Sequence, residues 1–175
     1  FMMKRTCTVQ ANLDYRSEED ALQKMRVASV LGPVVTAMFA NSSYVEGKPS
    51  GWESYRQHVW TDVDPDRCRN LGLMLEGGDS VFAAYAEWAL GVPLFFVNRN
   101  GTYTQPPGLT FGEWMEKGYE GVFPGLADWE LHLSTLFPNV RLKNYIEVRS
   151  ADCVPPEMIP ALPALWKGIL YDPEA

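Results

Sequence analysis

Two stretches of this chain alternate between polar and apolar side chains, and they limit the possible fold more than any other feature. Residues 6–13 read TCTVQANL, and residues 140–149 read VRLKNYIEVR. Because successive side chains of a β-strand point to opposite faces, each stretch predicts one strand with an apolar face and a polar face. The fold must therefore bury one face of each strand and leave the other to solvent or to a ligand.

The second stretch concentrates charge on its polar face. The even-numbered residues of the strand are mostly apolar and would face the core. The opposite face carries Arg141, Lys143, Tyr145, Glu147 and Arg149. Since side chains at positions i and i+2 of a strand lie roughly 6–7 Å apart, Glu147 and Arg149 can reach the same ligand.

If the two strands are neighbours in a sheet, their polar residues form one surface. That surface would consist of Gln10, Asn12, Lys143, Glu147 and Arg149. A carboxylate, amide oxygens and cations together suit a site for a magnesium nucleotide, and Arg56 and Arg67 add two candidate contacts to an anion. The same pattern also fits a solvated sheet surface with cross-strand ion pairs and two surface arginines, so these residues alone leave both interpretations open.

The segments between the two strands predict a mixed α+β fold. Ser17 is a candidate N-cap for a helix that extends to Phe39 and is kinked or interrupted at Gly32-Pro33. Residues 41–56 predict a long loop, and Asn100-Gly101 predicts the turn of a β-hairpin. Apolar periodicity predicts four further helices, near residues 79–90, 110–118, 128–137 and 156–171.

Length and charge restrict the class of protein. A chain of 175 residues suits one globular unit, residues 1–175, with a single substantial core. A net charge of −7 and a pI near 4.8 argue against a nucleic-acid partner, and no apolar run reaches the roughly 20 residues that span a membrane. Three cysteines without disulfide or zinc spacing predict a reducing, cytoplasmic location.

Several segments, taken together and in this order, resemble one enzyme family. RTCTVQANLDY, ANSSYVEGKPSGWESYRQHVWTDVDPDR, FPNVRLKNYIEVRSAD and ALPALWKGILYD are similar to the corresponding stretches of glutamate–cysteine ligases of the plant and proteobacterial type. The resemblance implies a glutamine-synthetase-like fold, in which an antiparallel sheet with helices on one face binds Mg-ATP. It also implies ligation of glutamate to cysteine through a γ-glutamyl phosphate, the first step of glutathione biosynthesis.

The resemblance also implies a role for each matched residue. Glu147 and Gln10 would be Mg²⁺ ligands, and Arg149 would contact the transferred phosphate. Asn12, Lys143 and Arg67 would bind the nucleotide and its phosphates, with Arg56 holding the glutamate carboxylate.

The chain departs from the family pattern at its N-terminal side. Members of this family carry further acidic metal ligands in a stretch that would precede residue 1, so the resemblance predicts a central and C-terminal part of the catalytic domain, with an incomplete sheet and metal site. Such a chain would bind Mg-ATP weakly and could be inactive alone. The alternatives are a carboxylate–amine ligase with another amine substrate and a non-catalytic domain that retains the sheet; the oligomeric state stays open.

Overall fold

The computed structural model of the chain describes residues 2–69, residue 72 and residues 80–172. Its α-helices are α1 Met2–Arg5, α2 Glu18–Met38, α3 Tyr55–Thr61, α4 Val81–Gly91, α5 Phe111–Lys117, α6 Leu126–Ser134 and α7 Ala161–Tyr171. Its strands are β1 Ala11–Leu13, β2 Tyr44–Val45, β3 Lys48–Pro49, β4 Val97–Arg99, β5 Thr102–Thr104, β6 Val140–Leu142 and β7 Ile146–Val148. This mixture confirms the α+β class.

The chain divides into two compact units. Unit 1 combines Phe1–Val81 with Pro138–Ala175, and unit 2 is Phe82–Phe137. Every candidate site residue named from the sequence lies in unit 1. The expectation that residues 1–175 act as one part of a larger catalytic domain stays a prediction.

The central sheet of unit 1 joins the two ends of the chain. Its strand order is β1-β7-β6, and both strand pairs are antiparallel. Ala11 and Leu13 are buried while Asn12 between them is exposed, which is the alternation that the sequence predicts for this strand. The strand is shorter than the predicted residues 6–13, because only residues 11–13 pair with β7.

The second alternating stretch is a hairpin and not the single strand that its pattern predicts. β6 and β7 pair with each other, and the turn between them contains Lys143, Asn144 and Tyr145. The backbone N–H of Lys143 donates to the carbonyl of Tyr145 at 2.8 Å and closes the turn. The sequence gives little warning, because this turn contains neither Gly nor Pro.

Helix α2 is also more continuous than the sequence predicts. Ser17 caps it as expected, since its hydroxyl accepts a hydrogen bond from the N–H of Asp20. The helix is not interrupted at Gly32-Pro33. Gly32 instead faces Ser150, where an added Cβ would lie 3.2 Å from the hydroxyl oxygen, so the glycine permits a close approach between the helix and the segment after β7.

The predicted loop at residues 41–56 has secondary structure of its own. β2 and β3 form a small hairpin whose turn holds Glu46 and Gly47 at positive φ angles of 52° and 78°. Ser54 then caps α3 by accepting from the N–H of Gln57 at 3.1 Å. Positive φ at both turn positions is the geometry of a two-residue hairpin, which the sequence signals only through Gly47.

Unit 2 follows the sequence prediction closely. Asn100 and Gly101 occupy positive φ between β4 and β5, α4 ends at Gly91, and Thr110 forms a capping box with Glu113 at the start of α5. Its core cluster is formed by Leu94, Val97, Phe111 and Trp114.

The final helix, α7, begins five residues later than predicted, after a short 3-10 helix at Pro156–Met158. Its inward face buries Leu162 and Trp166 in unit 1. None of the helices in the described residues combines the length and hydropathy that a membrane span requires.

Candidate functional site

Three cations converge on one buried carboxylate in the central sheet. Arg149 donates a hydrogen bond to Oε1 of Glu147, and Nη1 of Arg141 lies 3.7 Å from the same oxygen. Nζ of Lys143 lies 3.4 Å from Oε2. The side chain of Glu147 is only 8% exposed, whereas that of Lys143 is 36% exposed, so the cluster extends from the interior towards solvent.

The strand register explains why these residues meet. Glu147 in β7 is the direct partner of Asn12 in β1 and of Arg141 in β6, so one row across the sheet presents an amide, a carboxylate and a guanidinium. Directly opposed side chains of antiparallel strands lie on the same face. The row therefore places Asn12 and Glu147 on one face of the sheet, although more than 130 residues separate them in the sequence.

Glu147 is held in its ionised form. Burial alone would raise the pKa of its carboxyl group, but the hydrogen bond and charge of Arg149 and the charges of Arg141 and Lys143 outweigh that effect and lower the pKa. One negative charge surrounded by three positive charges leaves the cluster with a net charge of about +2. A site of this kind is electrostatically suited to phosphate groups.

Arg56 lies in the first turn of α3 and is 4% exposed. Its Nη2 donates to the backbone carbonyl of Arg149 at 2.9 Å. Its Nε is buried and finds no hydrogen-bond partner among the residues that the structure describes. Burial lowers the pKa of Arg56 to about 10, with the charge of Arg149 acting in the same direction and those of Asp152 and Cys7 opposing it, so the guanidinium stays charged near neutral pH.

Trp60 links Arg56 to the cation cluster. The guanidinium carbon of Arg56 lies 5.8 Å from the centre of its ring, and that of Arg149 lies 5.9 Å from it. An indole face attracts cations through its quadrupole and offers them no competing hydrogen bond. Both arginines are thereby held beside one aromatic ring.

Four of the predicted residues lie at this site, since Arg56 reaches the carbonyl of Arg149, and two more join it only through their backbone register. Glu147, Arg149 and Lys143 are in contact, and Asn12 is in register with Glu147 but exposed. Gln10 is exposed one residue before β1, where the same register continued by one step sets it opposite Arg149. Their roles towards nucleotide and metal remain predictions.

Arg67 lies in a turn outside the sheet. It is 5% exposed, and its Nε donates to Asp64 at 2.7 Å. The neighbouring thiol of Cys68 has its pKa raised to about 11 by burial and by Asp64, while the charges of Arg149 and Arg67 act in the opposite direction. This electrostatic effect of Arg149 on Cys68 places the turn within range of the cluster.

Sequence reasoning missed two residues of the site. It placed Arg141 on the polar face but gave it no role; on a straight strand Arg141 would lie roughly 20 Å from Glu147. It also passed over Asp152, which is 1% exposed and accepts hydrogen bonds from three groups in residues 41–54. Its place within the matched motif YIEVRSAD was the only signal that the sequence offered for Asp152.

Mg²⁺ prefers oxygen ligands and usually takes one or two carboxylates besides phosphate and water. Glu147 supplies an ionised carboxylate, and Asn12 and Gln10 offer amide oxygens on the same side of the sheet. Within the described ranges, no group of three or more His, Cys, Asp or Glu residues could hold a metal ion. The ionised carboxylate and the two amide oxygens match the oxygen ligands that Mg²⁺ prefers.

Comparison with known proteins gives a match over the whole chain. Residues 1–175 match the sequence profile of Glutamate-cysteine ligase family 2. The chain is 47% identical over 174 residues to the chloroplastic glutamate–cysteine ligase of Brassica juncea, covering 98% of this chain and 34% of that protein. It is 48% identical over 174 residues to the chloroplastic enzyme of Solanum lycopersicum, covering 98% and 33%, and 47% identical over 177 residues to chloroplastic enzyme B of Oryza sativa subsp. japonica, covering 99% and 36%.

The chain matches only part of these relatives, and their names bear on its location. The chain spans about a third of the length of each of them. Their names also contradict the predicted cytoplasmic location, since each is called chloroplastic. The prediction was wrong because cysteine spacing reports on disulfide chemistry and cannot distinguish the cytosol from another reducing compartment.

Proposed function

Since the chain belongs to Glutamate-cysteine ligase family 2, we propose that it supplies part of the active site of an ATP-dependent ligase. The reaction joins the side-chain carboxylate of glutamate to the amine of cysteine, as the first step of glutathione biosynthesis. The observation that carries the proposal is the convergence of Arg141, Lys143 and Arg149 on Glu147 beside the buried Arg56. The sheet would be part of a glutamine-synthetase-like fold.

The reaction has two steps, and this cluster supports the first. A carboxylate oxygen of glutamate attacks the γ-phosphorus of ATP, and ADP leaves with the electron pair of the broken P–O bond. Phosphoryl transfer depends mainly on positioning and on neutralising charge. The phosphate oxygens would bind to the three cations that surround Glu147, namely Arg141, Lys143 and Arg149. Cations that are already arranged around one anion need little rearrangement to bind a second.

In the second step the cysteine amine attacks the acyl carbon of the γ-glutamyl phosphate. Inorganic phosphate leaves, and the amine loses a proton as the amide forms. Arg56 would hold a carboxylate of glutamate through its Nε, the donor that has no partner among the described residues. A guanidinium suits this task because its donors match a carboxylate in geometry and keep their charge at neutral pH.

Glu147, with Gln10 and Asn12 nearby, would hold the magnesium ion of Mg-ATP. When bound, Mg²⁺ would neutralise phosphate charge beyond what the arginines and lysine provide. Asn12, Lys143 and Arg67 would contribute contacts to the nucleotide and its phosphates.

The test is calorimetric titration of this 175-residue chain with a non-hydrolysable ATP analogue and Mg²⁺. We expect micromolar binding, weakened at least tenfold in Arg149→Ala, because that change removes the guanidinium nearest to Glu147. Arg16→Ala is the matched control, since Arg16 is an exposed arginine of unit 1 that lies outside the sheet, beyond the end of β1. No binding by the parent chain, or equal loss in both variants, would contradict the assignment of this face.

Product analysis separates the alternatives. Formation of γ-glutamylcysteine in preference to other γ-glutamyl amides by a full-length protein with this sequence supports the ligase named above. Preference for another amine would favour a related carboxylate–amine ligase. Tight binding of Mg-ATP without any turnover would favour a non-catalytic domain.

A further inference from the structure

Asp152 occupies a position that the proposed reaction does not explain. It lies three residues after Arg149, is 1% exposed, and both oxygens of its carboxylate accept hydrogen bonds within unit 1. Oδ2 accepts from the backbone N–H of Asn41 at 2.9 Å and from the hydroxyl of Ser42 at 2.7 Å. Oδ1 accepts from the hydroxyl of Ser54 at 2.8 Å.

The two hydroxyls continue towards α3. The Ser42 hydroxyl accepts from the backbone N–H of Arg56 at 3.0 Å, and the Ser54 hydroxyl accepts from the N–H of Gln57 at 3.1 Å. Each hydroxyl has one proton and donates it to Asp152, so its lone pairs are directed at the helix. Asp152 thus determines the orientation of the two hydroxyl groups that accept hydrogen bonds from the backbone N–H groups in the first turn of α3.

That first turn carries the buried guanidinium of Arg56. The Arg56 side chain donates to the carbonyl of Arg149. Burial lowers the pKa of Arg56, and the negative charge of Asp152 opposes that effect. Leaving the buried Nε without a partner costs free energy unless a ligand accepts its hydrogen bond. The Nε–H of Arg56 can bind a ligand in a defined geometry only if the backbone of α3 and the charges around the guanidinium are held in place.

We propose that Asp152 is a positioning residue for Arg56: through Ser42 and Ser54 it fixes the backbone from which the guanidinium extends, and it supplies the counter-charge that holds that guanidinium in place. This inference rests on the proposed function in one respect, which is that Arg56 receives a carboxylate of the substrate. Its structural content does not depend on turnover.

The experiment uses NMR of the 175-residue chain, labelled with ¹⁵N. Two observables are followed: the Nε–H signal of Arg56, identified by its loss in Arg56→Lys, and hydrogen exchange of the backbone amides of Arg56 and Gln57. We expect the parent to show a distinct Arg56 signal and protection of both amides. Asp152→Ala should lower the protection of both amides at least tenfold and move the Arg56 signal towards that of exposed arginines.

Single serine variants test the two branches separately. Ser42→Ala should expose mainly the amide of Arg56, and Ser54→Ala mainly that of Gln57. Asp152→Asn keeps the shape and an acceptor oxygen but removes the charge, so it should retain much of the amide protection while still moving the Arg56 signal. It also keeps the proposal testable if Asp152→Ala does not fold.

Two controls exclude a general loss of stability. Leu162→Ala removes a side chain that is 1% exposed in α7 and destabilises unit 1 without altering these hydrogen bonds. Asp62→Asn removes a carboxylate at the opposite end of α3. Neither should move the Arg56 signal, whereas an Asp152 with a merely structural role would act like Leu162.

An Arg56 signal that stays unchanged in both Asp152 variants would overturn the proposal, as would unchanged amide protection in both serine variants. Addition of L-glutamate distinguishes this failure from failure of the proposed function. If L-glutamate leaves the Arg56 signal of the parent unmoved, the role of Arg56 in substrate binding is contradicted, but the positioning by Asp152 stands.

Discussion

The two compact units differ in what they bury. Among the residues that the structure describes, nine polar or charged side chains are buried, and only His132 lies in unit 2. The buried residues of unit 2 are otherwise aromatic and aliphatic, with Phe111 and Trp114 in edge-to-face contact at 5.6 Å. Unit 1 buries Arg56, Arg141, Glu147 and Asp152 beside its apolar core.

The buried charges of unit 1 carry a cost in stability that the apolar core of unit 2 does not. A buried ion pair is often no more stabilising than apolar side chains of the same volume, because both charges lose their hydration. Aromatic contacts incur no such loss. Unit 2 therefore has the core that stability alone would favour, whereas the buried charges of unit 1 are better explained by the binding of a charged ligand.

The largest expected effect tests the apolar side of the comparison. Trp114 is 1% exposed, and its Nε1 donates to the carbonyl of Val122 at 2.8 Å. Trp114→Ala should lower the free energy of unfolding by about 3–5 kcal/mol, since it leaves a cavity and removes one of the two hydrogen bonds that the Val122 carbonyl accepts. Urea denaturation followed by circular dichroism measures this. Met115→Ala, at the neighbouring exposed position, should have little effect, and an equal loss in both variants would contradict the assigned core.

The next effect concerns the charged cluster of unit 1. Glu147→Ala removes the anion that three cations share and should cost about 3 kcal/mol, because the remaining charges are partly buried and mutually repulsive. The same urea experiment applies. Added phosphate should recover part of the loss by occupying the vacated position. Glu116→Ala, an exposed carboxylate in α5, serves as the control; if Glu147→Ala is equally harmless, the cluster contributes nothing to folding.

A smaller, pH-dependent effect is expected at a partly exposed ion pair of unit 2, between Arg99 and Asp128, whose side chains are 39% and 15% exposed. Asp128 accepts from Nη1 and Nη2 of Arg99 at 2.5 and 3.1 Å and from the N–H of Gly125 at 2.8 Å. Burial would raise the pKa of Asp128, but the Arg99 and Gly125 hydrogen bonds and the Arg99 charge lower it below its usual 3.8. Because the pKa of Asp128 is lower in the folded than in the unfolded protein, the stabilisation is fully present above the unfolded pKa. It disappears as the pH falls through the folded pKa.

Asp128→Asn should therefore cost about 1–2 kcal/mol near neutral pH and progressively less in acid. Unfolding free energies of parent and variant, measured from neutral pH down to about pH 2.5, check this. Asp62→Asn, which changes an exposed carboxylate, should show no such convergence. A difference between parent and Asp128→Asn that persists in acid would mean that the interaction does not depend on ionised Asp128.

The smallest effect separates two neighbouring arginines. Arg67 is buried and lies 2.7 Å from Asp64, whereas Arg69 lies 3.6 Å from Asp66 with both side chains about half exposed. Arg67→Ala should cost about 1 kcal/mol, because Asp64 stays partly solvated after the change, and Arg69→Ala should cost only a few tenths. Thermal unfolding of the two variants compares them directly. Equal effects would remove the distinction between a buried and a surface arginine in this turn.

Much of the local structure follows from the sequence. Ser17 and Asn100-Gly101 act as the cap and the turn that the sequence predicts. Helix α3 was not predicted, because its seven residues are too few to show clear periodicity and its Ser54 cap lies in a segment rich in Gly, Pro and Ser. The role of Asp152 depends on segments about 100 residues away, and no local pattern reports such contacts.

The charged face shows most clearly what each level decides. In the β6–β7 hairpin the paired residues have numbers of the same parity, such as Arg141 and Glu147, so a straight strand and the hairpin place the same side chains on the same face. The sequence therefore determined which residues share that face, because the two-residue period of a strand survives the turn. A straight strand would separate Arg141 from Glu147 by roughly 20 Å. Only the tertiary structure, by folding the stretch back on itself, brings their charged groups to 3.7 Å and makes a cluster of them.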